Sequence, residues 1–221
     1  MHTSLHHKPC KTNTSYFEQH IRRGETKFKR VIVITGTPGV GKTQVSRLLV
    51  SELDASHIDL AELAKKENLI SGFDQARKTP IADTTKMANR VEELIEASKT
   101  DVIIDGHYAV DVVPAKKTYI VFVLRRNPNE LKSVLEDYGF EGKKLWENLA
   151  AEILDVCLWD AVSVVGSAKV CEIDVSDRKI EKVVEEIVSV LNRKEKCKTG
   201  VVDWLGKLEE EGQLQDFLKY L

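Results

Sequence analysis

The sequence has little net charge, few cysteines and no long apolar run, and each of these absences excludes a class of protein. Among its 221 residues, 33 Lys and Arg nearly balance 35 Asp and Glu, so overall charge argues neither for nor against a nucleic-acid partner. The four cysteines contain no CxxC pair, which disfavours a zinc site and fits reduced thiols in a cytosol. No apolar stretch approaches the roughly 18–20 residues that cross a bilayer, and the N-terminus lacks the apolar centre of a signal peptide. We therefore expect a cytoplasmic protein without a membrane segment.

Positive charge is concentrated at the N-terminus. Residues 1–30 contain seven Lys and Arg against two Glu, whereas the rest of the chain is acidic. Residues 1–29 show no sustained hydrophobic period, so we expect a basic, disordered arm. Three interpretations of this arm stay open: a segment without essential function, a tail that binds RNA or an acidic partner, or residues upstream of the true start.

From residue 30 onward, short β-branched apolar runs alternate with amphipathic stretches. Strands are predicted at 31–35, 57–60, 101–106, 119–124 and 169–174. Helices are predicted at 43–53, 61–68, 83–98, 127–137, 143–164 and 177–191. Residues 71–82 contain Gly72 and Pro80 and are interpreted as a loop. The alternation predicts an α/β fold with a parallel, roughly five-stranded sheet flanked by helices on both faces.

The C-terminal end combines a charged linker at 193–200 with a helical appendix at 201–221. The appendix contains apolar residues such as Trp204, Leu208 and Phe217, which need a partner surface. We favour packing of the appendix back onto the core, and the alternative is a docking element for another protein.

A phosphate-binding motif lies between the first predicted strand and the helix that follows it. Residues 36–43 read GTPGVGKT and match the pattern G-x-x-x-x-G-K-[ST], which is specific in this structural context. The glycines let backbone N–H groups surround a phosphate, Lys42 reaches the β- and γ-phosphates, and the Thr43 hydroxyl is a Mg²⁺ ligand. The motif therefore predicts ATP and Mg²⁺ as cofactors. The ATP-binding residues that it predicts are Gly36, Gly39, Val40, Gly41, Lys42, Thr43 and Gln44.

A second candidate motif, Asp105-Gly106-His107, closes the predicted strand at 101–106. A phosphate-loop site needs a carboxylate on a neighbouring strand to hold Mg²⁺, and Asp105 is the leading candidate. His107 follows at the carboxyl end of the same strand, where ligands bind in open α/β sheets. There it could orient water or a phosphate oxygen, and the alternative is a loop histidine without a role.

Four segments resemble one family, the atypical adenylate kinases of the isoenzyme 6 type. They are ITGTPGVGKT at 34–43, VIIDGH at 102–107, IVFVLR at 120–125 and LEDYGFEGKKLWENL at 135–149. The resemblance covers about residues 30–192, leaves out the N-terminal arm, and extends more loosely to an appendix like that of archaeal members. Members of this family combine nucleoside monophosphate kinase and ATPase activities and serve as assembly factors of the small ribosomal subunit.

The resemblance implies a P-loop NTPase three-layer fold, similar to nucleoside monophosphate kinases, with a short lid. It implies that 59–82 close over AMP or another nucleoside monophosphate and that 137–147 form the lid over ATP. It implies that Lys42 helps to hold ATP and that Asp105 and His107 support ATP hydrolysis, and we expect these three residues to be catalytic. It also implies a role in late maturation of the small ribosomal subunit and in rRNA processing. The implied partner is a small-subunit ribosomal protein of the platform, and whether rRNA is a second partner stays open.

One position departs from the family pattern. The lid arginine that usually precedes the glycine matching Gly139 is replaced by Tyr138. Loss of an arginine that stabilises the transferring phosphoryl group can cost orders of magnitude in rate. Arg125, directly after a strand, is the best-placed predicted substitute, whereas Arg126 is interpreted as a solvated residue. Tyr138 could instead stack on the adenine.

Three functions remain to be separated. The first is an ATP:AMP phosphotransferase that also hydrolyses ATP. The second is mainly an ATPase switch of ribosome assembly with weak kinase activity. The third is a small-molecule P-loop kinase that acts on a sugar or an acid.

Overall fold

The computed structural model describes residues 28–75, 77 and 79–218, so the predictions for residues 1–27 lie outside the described residues. The strands are β1 (Val31–Thr35), β2 (Ser56–Asp59), β3 (Ile70–Asp74), β4 (Thr79–Ala82), β5 (Val102–Asp105), β6 (Thr118–Arg125) and β7 (Val170–Asp174). The helices are α1 (Lys42–Leu53), α2 (Leu60–Lys66), α3 (Thr84–Ala97), α4 (Ala109–Val112), α5 (Pro128–Asp137), α6 (Gly142–Ile153), α7 (Val156–Val165), α8 (Ile180–Leu191), α9 (Trp204–Glu210) and α10 (Leu214–Leu218). A short 3₁₀ turn at Ser167–Lys169 precedes β7.

Five strands form one parallel sheet in the order β2-β5-β1-β6-β7. All five residues of the central β1 are buried, as expected for a strand that is covered on both faces. Its side chains alternate between two cores, with Ile32 and Ile34 in one and Val31 and Val33 in the other. The predicted three-layer α/β fold with a parallel five-stranded sheet is confirmed.

Helix α3 shows how local sequence signals determine these elements. The Asp83 side chain accepts a hydrogen bond of 3.0 Å from the Lys86 N–H and so satisfies one of the free donors at the helix N-terminus. Met87, Val91 and Ile95 recur every fourth residue and are buried against the sheet. The N-cap and the buried face agree with the helix predicted over 83–98.

The loop predicted over 71–82 is wrong, because this region contains an antiparallel hairpin of β3 and β4. Gly72 and Pro80, which favoured a loop, lie inside the paired strands. The hairpin is a separate two-stranded sheet, so Pro80 removes no hydrogen bond that a second neighbour would need. Phe73 and Ile81 are about half exposed on it, which places the hairpin at the surface.

The single helix predicted over 143–164 is also wrong, because α6 ends at Ile153 and α7 begins at Val156. Asp155 between them has a left-handed backbone with φ 57°. The buried Arg125 guanidinium donates to the Glu152 carbonyl at 2.8 Å and to the Asp155 carboxylate at 2.5 Å. A distant side chain therefore binds the free carbonyl at the end of α6, where the helix ends.

The C-terminal appendix packs onto the main core, as the sequence analysis favoured. Val202, Trp204, Leu208 and Phe217 are buried in the same cluster as α1, α6 and α8. The Phe217 ring meets the Trp146 ring of α6 edge to face at 6.3 Å. The far end of the predicted appendix, residues 219–221, lies outside the described residues. Within the part of the chain that the structure describes, no helix is long and apolar enough to cross a membrane.

Candidate nucleotide-binding site

The predicted phosphate loop connects β1 to α1, and its glycines are required by its shape. Gly36, Gly39 and Gly41 have φ of 137°, 89° and 100°, which L-residues with a side chain rarely adopt. A Cβ on Gly36 would lie 2.4 Å from the Leu124 carbonyl oxygen. Val40 is fully buried in the core, so the residue can offer a ligand only its backbone.

The start of α1 presents backbone donors to this loop. Gly41 is the N-cap and supplies no side-chain hydrogen bond, so the first N–H groups of α1, from Lys42 to Gln44, are not capped by the chain itself. No acidic residue lies in this first turn. The helix dipole and these N–H groups together form a site for an anion.

Lys42 lies folded back over the loop. Its ammonium group donates to the carbonyls of Gly36 at 2.8 Å and Thr37 at 2.9 Å. Burial lowers the pKa of Lys42, and the nearby carboxylates, Asp105 among them, partly oppose this effect. The cation is therefore held at the mouth of the loop by carbonyl dipoles that a bound phosphate could replace.

Asp105 and Thr43 converge beside the loop, although they are 62 positions apart. Asp105 is the last residue of β5, is 2% exposed, and accepts a 3.0 Å hydrogen bond at Oδ2 from the Thr43 hydroxyl. Its Oδ1 lies 2.7 Å from His57 Nε2 of the neighbouring β2. These oxygen donors suit Mg²⁺, and no group of three or more His, Cys, Asp or Glu that could hold a metal occurs among the described residues. A Mg²⁺ ion here would need phosphate or water oxygens to complete its coordination.

His107 lies where the second motif predicted it, at the carboxyl edge of the sheet. Its carbonyl accepts a 3.3 Å hydrogen bond from the Thr35 hydroxyl, and its ring meets the Tyr108 ring edge to face at 4.8 Å. Although the ring is partly exposed, desolvation in the crevice and the charge of Lys42 both lower the pKa of His107. The imidazole is therefore neutral at pH 7 and can donate or accept a hydrogen bond.

Arg125 does not have the position that its predicted catalytic role requires. Its side chain is 2% exposed and forms ion pairs with Glu152 at 2.9 Å, Asp155 at 2.5 Å and Glu172 at 2.5 Å. Burial alone lowers the pKa of Arg125, but these three carboxylates raise it overall. Because Arg125 is buried and four of its five N–H donors are bound by Glu152, Asp155 and Glu172, it does not reach a phosphoryl group at the loop, which contradicts the catalytic assignment.

The carboxylate of Glu152 connects this buried cluster to the phosphate loop. One of its oxygens accepts a 2.6 Å hydrogen bond from the Thr37 hydroxyl. The other accepts from Arg125 Nε at 2.9 Å and from Trp204 Nε1 at 3.1 Å. Arg125 and the C-terminal appendix thus support the loop from below, through Glu152.

The predicted lid and the predicted monophosphate region touch each other directly. Arg77, between β3 and β4, forms two hydrogen bonds with the Glu147 carboxylate of α6, at 2.8 and 2.9 Å. Lys144 of α6 donates to the Thr79 hydroxyl of β4 at 2.9 Å. Tyr138 is 66% exposed at the end of α5, and no hydrogen bond or ring contact joins it to the phosphate loop within the described residues.

Three of these contacts involve residues that the sequence analysis did not identify: His57, Glu152 and the Arg77–Glu147 pair. Each depends on elements that are distant in sequence, with 48, 115 and 70 positions between the partners. An alternating pattern in the SHID segment could have placed His57 and Asp59 on one face of a strand. No signal in a single sequence would have identified β5 as the neighbour of that strand.

The fold and the phosphate loop together define the class as a P-loop NTPase fold. The structure is similar to a shikimate kinase from Bacteroides thetaiotaomicron, with a TM-score of 0.52 and 20% identity over 74% of this chain and 98% of that one. It is also similar to the tunicamycin resistance protein of Deinococcus radiodurans, with a TM-score of 0.50 and 16% identity over 74% of this chain and 95% of that one. At these identities the likeness shows the fold alone.

Sequence comparison shows the family. A family model described as an AAA domain matches residues 32–155. A Methanocaldococcus jannaschii protein named "Putative adenylate kinase" is 42% identical over 176 residues, which cover 80% of this chain and 93% of that protein. A Thermococcus onnurineus protein of the same name is 37% identical over 175 residues, 79% of this chain and 91% of that protein. The chain therefore belongs to the family of these archaeal adenylate kinase homologues.

Proposed function

We propose that this protein is a nucleoside monophosphate kinase that transfers the γ-phosphoryl group of ATP to AMP and that also hydrolyses ATP. The observation that carries the proposal is the meeting of Thr43 and Asp105, 3.0 Å apart, at a phosphate loop closed by Lys42. This arrangement provides backbone donors, one cation and one metal-binding carboxylate for a triphosphate. The name of the archaeal relatives supports AMP as the acceptor.

Each site residue has a distinct proposed role. The loop N–H groups and that of Gln44 bind the phosphates of ATP, while Lys42 exchanges the Gly36 and Thr37 carbonyls for phosphate oxygens. Thr43 and Asp105 would hold Mg²⁺, which would offset the negative charge of the bound phosphates. A neutral His107, at the edge of the sheet beside Lys42, orients the acceptor or a water molecule by a hydrogen bond.

The acceptor side and the lid are assigned to the two elements that meet above the sheet. Residues 59–82, which include the hairpin, form the proposed monophosphate region, and 137–147 form the proposed lid. Their contact between Arg77 and Glu147 gives a closed arrangement that would exclude water from the phosphoryl group during transfer.

A steady-state assay of ADP formation from ATP with and without AMP tests the proposal. We expect AMP to raise the rate far above that of hydrolysis, and Lys42→Ala to abolish both activities. Lys182→Ala on the surface of α8 is the matched control and should behave as the native protein. Full activity of Lys42→Ala, or no AMP-dependent ADP formation, would refute the kinase assignment. Activity with a sugar or an acid but with no monophosphate would favour the small-molecule kinase instead.

A second candidate function is an ATPase switch that acts in late small-subunit maturation and rRNA processing. Two observations favour it: Tyr138 replaces the lid arginine, and Arg125 is held by three carboxylates, of which those of Glu152 and Glu172 are buried. Neither of these positions therefore supplies an arginine to the transferring phosphoryl group. The proposed partners are a small-subunit ribosomal protein of the platform and rRNA. Hydrolysis that such a protein or RNA stimulates, with little dependence on AMP, would support this function over the kinase.

A further inference from the structure

Arg126, unlike its buried neighbour Arg125, lies beside the phosphate loop. It follows β6 directly, and its Nη2 lies 3.9 Å from the point where a Cβ on Gly41 would be. Ile180 at the start of α8 approaches the same point at 3.9 Å, and so does the Gln44 side chain at 3.8 Å. The guanidinium group therefore lies beside the last glycine of the phosphate loop, where α1 begins.

The backbone N–H of Arg126 donates to Glu152 at 3.1 Å, but its side-chain donors are poorly satisfied by the protein itself. Its Nε is buried and has no hydrogen-bond partner within the described part of the chain. Its nearest ion pair joins Nη1 to Glu130 Oε2 at 3.8 Å, which is too long for a hydrogen bond. A buried donor without an acceptor costs free energy. An unpaired donor beside the phosphate loop therefore indicates that a bound ligand supplies the acceptor.

The strand order places Arg126 on a defined side of the loop. Asp105 and His107 follow β5, whereas Arg126 follows β6, and β1 with its loop lies between these two strands. A metal held by Thr43 and Asp105 would therefore lie on the β5 side of the loop. On the β6 side, away from Asp105, the guanidinium of Arg126 would meet an α-phosphate bound at the start of α1.

We propose that Arg126 binds the α-phosphate of the donor nucleotide through its guanidinium N–H groups. This role rests on the proposed function only because it requires ATP as the ligand, and it does not depend on AMP as the acceptor. A planar guanidinium can give an anionic phosphate two hydrogen bonds, which a lysine cannot match in geometry. Arg126 thus contributes to affinity for ATP and ADP rather than to the transfer of the γ-phosphoryl group.

The test is nucleotide binding by isothermal titration with native protein, Arg126→Met and Arg126→Lys. We expect Arg126→Met to weaken ATP and ADP binding by about tenfold or more, and Arg126→Lys to recover part of the loss. The KM for ATP should rise in Arg126→Met, while kcat at saturating ATP changes by less than about threefold. Arg90→Met is the control, because Arg90 forms only exposed ion pairs with Glu67 and Glu93.

Several outcomes would overturn the inference. Binding by Arg126→Met that equals native binding, with an unchanged melting temperature, would remove Arg126 from the site. A large fall in kcat without a change in KM would place the residue at the transferring phosphoryl group instead. The failure of the proposed function is distinguishable: native protein that binds ATP but makes no ADP from AMP refutes the kinase and leaves the Arg126 contact intact.

Discussion

Replacement of Arg125 by methionine should destabilise the fold strongly, because it removes the cation from a buried cluster of carboxylates. The Glu152 and Glu172 side chains are 1% and 0% exposed, and both contact this guanidinium. Breaking a buried ion pair by removing one partner costs about 3–5 kcal/mol. Glu152 keeps its bonds from Thr37 and Trp204, so we expect a loss near the lower bound, about 3 kcal/mol.

Urea unfolding without nucleotide measures this loss, because a bound ligand would add its own stabilisation. The free energy of unfolding follows from the midpoint and the slope, provided that different probes give coincident transitions. A domain of this size has about 5–15 kcal/mol in total, so the variant should still fold at low temperature. Arg90→Met is the control, because its exposed ion pairs with Glu67 and Glu93 should contribute little to the free energy of unfolding.

The same variant distinguishes a structural arginine from a catalytic one. If Arg125 acted on the phosphoryl group, its loss would lower the turnover of folded protein by about 10³-fold or more. A variant with native stability and such a loss of turnover would refute the structural assignment. A destabilisation below about 1 kcal/mol would refute the expected loss of about 3 kcal/mol, since an exposed ion pair contributes as much.

Three further variants test contacts that only the fold brings together. His57→Phe should weaken ATP binding in the presence of Mg²⁺ by about tenfold, because Asp105 loses its orienting partner. His57→Gln should recover most of the lost affinity. An equal loss of affinity without Mg²⁺, measured by titration calorimetry, would contradict this role of His57. Arg77→Met should raise the KM for AMP with little change in unfolding free energy, and Glu147→Gln should add no further effect in the double variant, whereas additive effects would show that the pair does not act as a unit. Trp204→Phe keeps an aromatic ring but loses the indole N–H that donates to the buried Glu152 carboxylate, so urea unfolding should show a loss of about 1.5–3 kcal/mol, while the exposed Trp159→Phe should stay within about 0.5 kcal/mol.

Signals that are local in sequence predicted most of the architecture. The phosphate loop is a contiguous octapeptide whose glycines, lysine and threonine each follow from the shape of a phosphate. The alternation of apolar runs predicted the five strands and most of the helices, because burial on both faces leaves a continuous β-branched segment. The local predictions failed at the hairpin and at the break between α6 and α7. At the break, the decisive contact comes from Arg125, 27 positions before Glu152.

The sequence by itself determined a phosphate-binding loop on an α/β fold and a carboxylate at the end of a neighbouring strand. Only the tertiary structure decided between the adjacent Arg125 and Arg126. Successive side chains at the end of a strand point to opposite faces, so Arg125 enters the core among three carboxylates while Arg126 lies over the loop. Tertiary structure also decided the partner of His57, because β2 lies next to β5 in the sheet. Pairing between strands is a property of the assembled sheet, and it depends on residues too far apart for a local pattern to indicate.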